Sequence, residues 1–148
     1  MSLLGQAQIK VTECLKAGER ERAAMLRVLV SELQAAAKDA RRELTETEEI
    51  QVLRRERKKR EESASAFRSA GRTGLAEKEE WMIAVIDTML PRRLSESALA
   101  ALIDEVISEV GVTSPKDIGK VMAALMKRAG TEVDGSLASR LVKERLTA

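Results

Sequence analysis

Apolar residues recur every three or four positions along most of the chain, which is the spacing of a helix with one buried face. The first such series is Leu4, Ala7, Val11 and Leu15, and it ends before Gly18. The next series predicts a helix over about residues 19–38. Its apolar members are Met25, Leu26, Leu29, Val30, Leu33 and Ala37. No segment alternates apolar and polar residues as a half-buried strand would.

Local start and stop signals predict two further helices in the first two thirds of the chain. Thr45 followed by Glu48 is a capping box, and it predicts a long helix that ends near Gly71. A fourth helix is predicted to follow Thr73 and to stop at Pro91, which cannot continue a helix. The apolar residues on one face of that helix are Ile83, Ile86 and Leu90.

Three shorter helices are predicted in the last third of the chain. The first is capped by Ser95 and ended by Gly111. The second begins at Ser114-Pro115, with Asp117 completing its cap, and the third follows the Asp134-Gly135 turn. Their apolar stripes are, in order, Leu99, Leu102, Ile103, Val106 and Val110; Ile118, Val121, Met122, Leu125 and Met126; and Leu137, Leu141, Val142 and Leu146.

These patterns predict an all-α fold of seven helices in two parts. Residues 1–93 are expected to form an N-terminal four-helix bundle-like domain, and residues 94–148 a small three-helix C-terminal domain. Charge divides at the same place. The first part holds 19 basic and 16 acidic residues, a net charge of +3, and the second holds 7 and 8, a net charge of −1.

Composition excludes several kinds of active site. The 148 residues include no His and one Cys, which excludes a histidine base, a Ser-His or Cys-His couple and an internal disulfide. We therefore expect no catalytic residues, no metal and no cofactor. The longest apolar runs, residues 81–86 and 121–126, are too short to span a bilayer, and no secretory signal is evident. A cytoplasmic protein without a membrane partner is the expectation.

The densest charge lies at residues 54–60, where six of the seven residues are basic. On a helix these side chains radiate around nearly two turns, so they do not all line one face. Arg57 and Arg60 fall on the apolar side, where we expect their stems to cover the helix seam and their charges to reach solvent. The residues left to face phosphates are Arg54, Arg55, Lys58 and Lys59. A solvated helix surface is nevertheless favoured over a dedicated phosphate site, because Glu61 and Glu62 follow the run and partly neutralise it.

Five motifs occur in a specific order and spacing. They are Arg41-Arg42-Glu43-Leu44-Thr45; Ala70-Gly71-Arg72 running into Leu75-Ala76-Glu77-Lys78-Glu79; Leu90-Pro91 with Leu94-Ser95; Ser114-Pro115-Lys116-Asp117-Ile118-Gly119-Lys120-Val121-Met122; and Asp134-Gly135. Together they resemble the YqeY-like family over essentially the whole chain. That family's fold is related to the C-terminal region of the B subunit of the tRNA-dependent amidotransferase. The resemblance implies an all-α fold with a three-helix tail.

The resemblance also implies a function. In the amidotransferase the related region helps to hold the tRNA while other domains transfer the amide. The chain is therefore expected to be a non-catalytic module that binds tRNA or a tRNA-handling complex. The contact would lie near the motif residues Gly119, Asp134 and Gly135. Phosphate charge would come from Lys116, Lys120, Lys127 and Arg128. Glu132 stands where relatives often have a basic residue, which shifts electrostatic support toward residues 54–60.

Two other functions stay open at this point. The family name is associated with carbon–nitrogen ligase activity that uses glutamine as amide donor, and the chain would then be an accessory to a separate catalytic subunit. The sequence itself has no nucleophile–base couple, metal cluster or nucleotide loop. Alternatively, the amphipathic C-terminal helices would dock onto a protein partner. The sequence makes no prediction of oligomeric state.

Overall fold

A computed structural model describes residues 1–147, and these residues form seven α-helices and no strand. The helices are α1 (Leu3–Lys16), α2 (Arg20–Ala40), α3 (Glu46–Ser69), α4 (Thr73–Met89), α5 (Glu96–Val110), α6 (Ile118–Ala129) and α7 (Gly135–Thr147). Single 3₁₀ turns, Pro115–Asp117 and Gly130–Glu132, flank α6. The chain divides into two compact units, Met1–Leu90 and the segment from Pro91 onward. The all-α prediction is confirmed.

The first unit consists of two helical hairpins. Helix α1 packs on α2 and α3 packs on α4, and α3 also contacts α1 and α2. The large side chains at most 2 % exposed in this core are Leu26, Leu29, Leu33, Leu53, Met82 and Ile86. Burying one such side chain contributes about 1.5–3 kcal/mol, so this apolar seam is the main source of packing energy.

Polar contacts between α2 and α4 lie beside this core. The Arg22 guanidinium carbon stands 4.8 Å from the centre of the Trp81 ring, within the range of a cation–π interaction. Lys78 of α4 forms an ion pair with Glu21 of α2. The side chain of the single Trp in the sequence is therefore half-buried and covered by an arginine from the neighbouring hairpin.

The buried face of α1 differs from the predicted one. Leu3, Ala7 and Val11 are buried, whereas Leu15 is 43 % exposed. Leu3 and Leu4 are adjacent apolar residues, so spacing alone does not decide which of them faces the core. The same ambiguity occurs in α4, where Met82 and Met89 are buried and their neighbours Ile83 and Leu90 only partly so. At the edges of their stripes, Val110 and Met126 are 37 % and 38 % exposed.

The predicted capping box starts α3. Glu48 N donates to Thr45 Oγ1 (3.2 Å), and Thr45 N donates to Glu48 Oε1 (3.0 Å). Arg42 adds two bonds to the same carboxylate, at 2.7 and 3.1 Å. The motif residues Arg42 and Thr45 therefore both act on one helix start.

A long-range cap fixes the start of α1. Glu49 is only 5 % exposed, and its Oε1 and Oε2 accept hydrogen bonds from Leu3 N (3.1 Å) and Leu4 N (2.9 Å). The first N–H groups of a helix have no partner within the helix, and the helix dipole favours a negative charge there. Glu49 thus satisfies two donors of α1 from α3.

The second unit is a three-helix cluster with its own core. The large side chains of this core that are less than 2 % exposed are Leu99, Ile103, Val106, Val121, Leu125 and Val142. Ser95 caps α5 by accepting from Ala98 N (3.2 Å), and Gly111 ends it at φ +73°, a conformation that other residues rarely adopt. None of the helices within residues 1–147 is both long and apolar enough to cross a membrane.

The start of α6 differs in detail from the prediction. Ser114 caps the 3₁₀ turn, with Lys116 N donating to Ser114 Oγ (3.3 Å). Asp117 precedes α6 but forms no side-chain cap. Its carboxylate lies 3.7 Å from Lys120 Nζ instead. The predicted cap at Ser114 is therefore confirmed, and the predicted contribution of Asp117 to that cap is wrong, because its carboxylate pairs with Lys120.

Replacing Glu49 by Ala is expected to destabilise the protein by about 2–4 kcal/mol, since two helix donors lose charged acceptors in a buried setting. Urea unfolding would measure the loss. Glu46→Ala is the matched control: this exposed carboxylate in the first turn of α3 should cost under about 1 kcal/mol. Equal losses for the two variants would contradict the cap.

The capping box predicts acid-sensitive stability. The side-chain hydrogen bond from Arg42, followed by those from Thr45, lowers the pKa of Glu48 from 4.5 to about 2. A carboxylate with a depressed folded-state pKa stabilises the protein fully above its unfolded value and loses that contribution as pH falls. Glu48→Gln should therefore be less stable than the wild type at pH 7, and the difference should close between about pH 4.5 and 2.

Unfolding by urea at several pH values tests this expectation. Glu62→Gln, a change at an exposed carboxylate of the same helix, is the control and should leave the pH profile as in the wild type. A wild-type advantage over Glu48→Gln that persists unchanged at pH 2 would exclude the proposed linkage.

Candidate nucleic-acid interface

Two arginines of the basic run on α3 connect this helix to α4. Arg57 donates to Asp87 of α4 through Nε (2.5 Å) and Nη2 (3.1 Å), and it also pairs with Glu61. The hydrogen bond to Asp87 raises the pKa of Arg57. Arg60 donates through Nη1 to both oxygens of Glu79 of α4, at 3.2 and 3.4 Å. The Arg57 and Arg60 side chains keep 35 % and 24 % exposure and pair with carboxylates of α4.

A buried carboxylate explains part of the basic run. Glu56 is 2 % exposed, its Oε1 accepts from Lys59 Nζ (3.1 Å), and its Oε2 lies 3.8 Å from Arg60 Nη2. A carboxylate removed from water needs a cationic partner to stay ionised at low energetic cost. Lys59 and Arg60 supply that charge, so both residues have a structural role that does not depend on a ligand.

The predicted phosphate-facing set on α3 is therefore smaller than the sequence indicates. Arg54 is half-buried and is already engaged in a non-covalent interaction within the protein. Lys59 is paired with Glu56. Arg55 and Lys58 are exposed and form no ion pair within 4.0 Å among residues 1–147. They lie three positions apart on one side of the helix and are the open cations of this run.

In the second unit the arginines of α6 and α7 face the acidic side of α5. Arg128 donates to Glu105 and Glu109, both at 3.2 Å. The remaining pairs are Arg140 with Glu96 (3.1 Å) and Arg145 with Asp104. Arg128, predicted to contact phosphate, is thus held by two carboxylates. Every acidic residue of α5 has an arginine partner.

The lysines near α6 are placed differently. Lys116 and Lys127 are exposed and form no ion pair with any other described side chain. Lys120 is 71 % exposed in its side chain, and its contact with Asp117 is long at 3.7 Å. We call these three residues the α6 lysine face, although Lys116 lies in the 3₁₀ turn just before α6. Gly119 is also exposed beside them, and a Cβ atom added there would meet nothing within 4 Å.

The Asp134-Gly135 turn lies beside the other end of α6. Asp134 Oδ1 accepts from Ser136 N (3.1 Å) and Leu137 N (3.3 Å), which caps α7, and its Oδ2 accepts from Arg93 Nη1 (3.4 Å). A Cβ atom on Gly135 would lie 3.8 Å from Met126 Cε. The motif residues Gly119 and Gly135 therefore both border α6, near its first and last turns, and Asp134 has a structural role.

Ion pairing changes what the net charge of this unit means. The −1 sum counts the α5 carboxylates that arginines neutralise at short range. Outside these α5 pairs the unit holds four lysines and four carboxylates, and three of the lysines form the α6 lysine face. Residues 1–147 contain no group of three or more Cys, Asp or Glu side chains arranged to hold a metal ion. The α6 lysine face therefore offers a ligand positive side chains and an exposed helix surface.

The fold and these surfaces define a small all-helical protein of two units, and each unit carries open cations. The chain belongs to the YqeY-like family: the family model described as Yqey-like protein matches residues 6–146. The chain is also similar to an uncharacterized protein of Schizosaccharomyces pombe. The two are 34 % identical over 86 residues, which cover 58 % of this chain and 70 % of the yeast protein. The family resemblance based on the five motifs is confirmed.

Measurements of stability can test whether the basic run contains both structural residues, such as Arg60, and open cations, such as Lys58. Arg60→Ala should destabilise the protein by about 2–4 kcal/mol, because it leaves the buried Glu56 with one cationic partner and Glu79 with none of its bonds to α3. Lys58→Ala, an exposed site two residues away, should change stability by less than about 0.5 kcal/mol. Urea unfolding of both variants gives the comparison. A cost for Lys58→Ala as large as that for Arg60→Ala would contradict the division.

Proposed function

We propose that this protein is a non-catalytic module that binds tRNA, or a complex that handles tRNA, and that it resembles the tRNA-holding region of the tRNA-dependent amidotransferase. The observation that carries the proposal is the sorting of charge in the second unit. The arginines of α6 and α7 pair with α5, and the α6 lysine face stays open.

Lysine is suited to such a surface. Its ammonium group is a compact charge on a flexible stem, and it contacts a phosphate oxygen without the planar alignment that arginine requires. Each contact releases counterions from the nucleic acid, which makes binding favourable and sensitive to salt. Arg55 and Lys58 of α3 provide a second, smaller cationic surface on the first unit.

The absence of catalysis is part of the proposal. The side chains at the α6 lysine face are ammonium groups beside an open glycine, and the sequence contains no histidine to act as a base near neutral pH. Participation in carbon–nitrogen ligase chemistry with glutamine as amide donor would then require a separate catalytic subunit. We place this role in the cytoplasm, in keeping with a chain whose single cysteine forms no disulfide.

Purified protein should bind tRNA with an affinity that falls as salt rises. Three lysine–phosphate contacts give a slope of about −2.7 in a plot of log K against log salt, or about 40-fold weaker binding at 200 mM than at 50 mM salt. The Lys116→Ala/Lys120→Ala/Lys127→Ala variant should lose most of this affinity and salt dependence. Its stability should change by less than about 0.5 kcal/mol per site.

The matched control is Arg55→Ala/Lys58→Ala, which removes the open cations of α3. A larger loss with the control would move the main contact to the first unit. Binding no tighter than that of an unrelated protein of similar charge would refute the proposal. Glutamine-dependent amidation by the purified chain would refute its non-catalytic part. Partners that survive ribonuclease during affinity purification would favour a protein adaptor.

A further inference from the structure

We infer that the α6 lysine face binds the sugar–phosphate backbone of double-stranded RNA and does not bind unpaired bases. The inference rests on the proposed function and specifies which part of an RNA the surface recognises.

The first argument is the lack of a stacking surface. Proteins that bind single strands stack bases on aromatic rings or on arginine planes. Residues 91–148 contain no aromatic residue. The guanidinium groups of α6 and α7 are held by carboxylates of α5, as the bonds from Arg128 to Glu105 and Glu109 show. An unpaired base would therefore find neither an aromatic ring nor an unpaired guanidinium on α5, α6 or α7.

The aromatic side chains of the first unit do not supply one either. Phe67 is half-buried in α3, and Trp81 is half-buried with Arg22 over its ring at 4.8 Å. Binding at the α6 lysine face is consequently limited to charge and shape. Recognition of that kind positions a protein on a nucleic acid without reading its sequence.

The second argument is the shape of the α6 surface. Lys120 and Lys127 are seven residues apart, which puts them on the same side of the helix about 10 Å apart along its axis. Between them lies the exposed Ala123, Gly119 lies beside Lys120 with no neighbouring atom within 4 Å of its Cβ position, and Met126, 38 % exposed, borders the surface at the Lys127 end. The lysines therefore stand at the two ends of a low surface.

A low surface between two cations fits an A-form duplex. The minor groove of double-stranded RNA is wide and shallow, and it is bordered by phosphates and lined with 2′-hydroxyl groups. The backbone of α6 approaches such a groove closely where the side chains are short. The Asp117 carboxylate lies 3.7 Å from Lys120 Nζ and offsets part of the Lys120 charge. Lys116 and Lys127 are then the stronger phosphate contacts.

The experiment compares two RNA probes of about 20 residues per strand, a blunt duplex and oligouridine, at equal salt. The wild-type protein should bind the duplex at least 10-fold more tightly, and duplexes of different sequence equally well. Gly119→Leu should weaken duplex binding by about 10-fold, because a long side chain holds the helix away from the groove. Leu is a better helix former than Gly, so the variant should fold.

Gly74→Leu is the matched control, since Gly74 is also the second residue of its helix and also has no neighbour within 4 Å of its Cβ position. It should leave binding unchanged. Oligouridine binding as tight as duplex binding, or an unaltered duplex affinity in Gly119→Leu, would overturn the inference while RNA binding itself stands. Failure to bind either probe or tRNA would instead refute the proposed function.

Discussion

The packing of the first unit depends on the contact between the Glu49 carboxylate and the first turn of α1. This contact joins residues 46 positions apart in the sequence. By accepting from Leu3 N and Leu4 N, the carboxylate ties the first turn of α1 to α3, and Ser2 caps the same turn by accepting from Gly5 N. Leu3, Ala7 and Val11 lie on the buried side of α1, and Leu15 is 43 % exposed.

A second buried carboxylate of α3, that of Glu56, explains part of the basic run at residues 54–60. Glu56 is 2 % exposed, Lys59 donates to its Oε1, and its Oε2 has Arg60 at 3.8 Å but no hydrogen-bond partner among the described residues, so its desolvation is only partly offset. Arg57 pairs with the exposed Asp87 of α4, and Arg60 with Glu79 of the same helix. Part of the most basic stretch of the sequence thus forms ion pairs within the fold, and local charge density overstates its capacity to bind a ligand.

The sequence predicts features that depend on neighbours along the chain. The Thr45 box, the Ser95 cap and the Gly111 stop act within four residues, so their patterns identify helix ends directly. Contacts between distant segments leave no such pattern. Neither the Glu49 cap nor the pairing of Arg128 with α5 follows from spacing, because each depends on which helix faces which. The boundary proposed at residues 93/94 and the RNA-binding residues remain predictions.

The position of Trp81 has a consequence for spectroscopy. It is the single tryptophan of a chain without tyrosine, and Arg22 from the neighbouring hairpin covers its ring. Intrinsic fluorescence excited at the indole band therefore reports the α2–α4 contact of the first unit and is silent about α5, α6 and α7. Circular dichroism records the helices of both units. Transitions that coincide in the two signals would identify one cooperative unfolding event, and transitions that separate would give each unit its own stability.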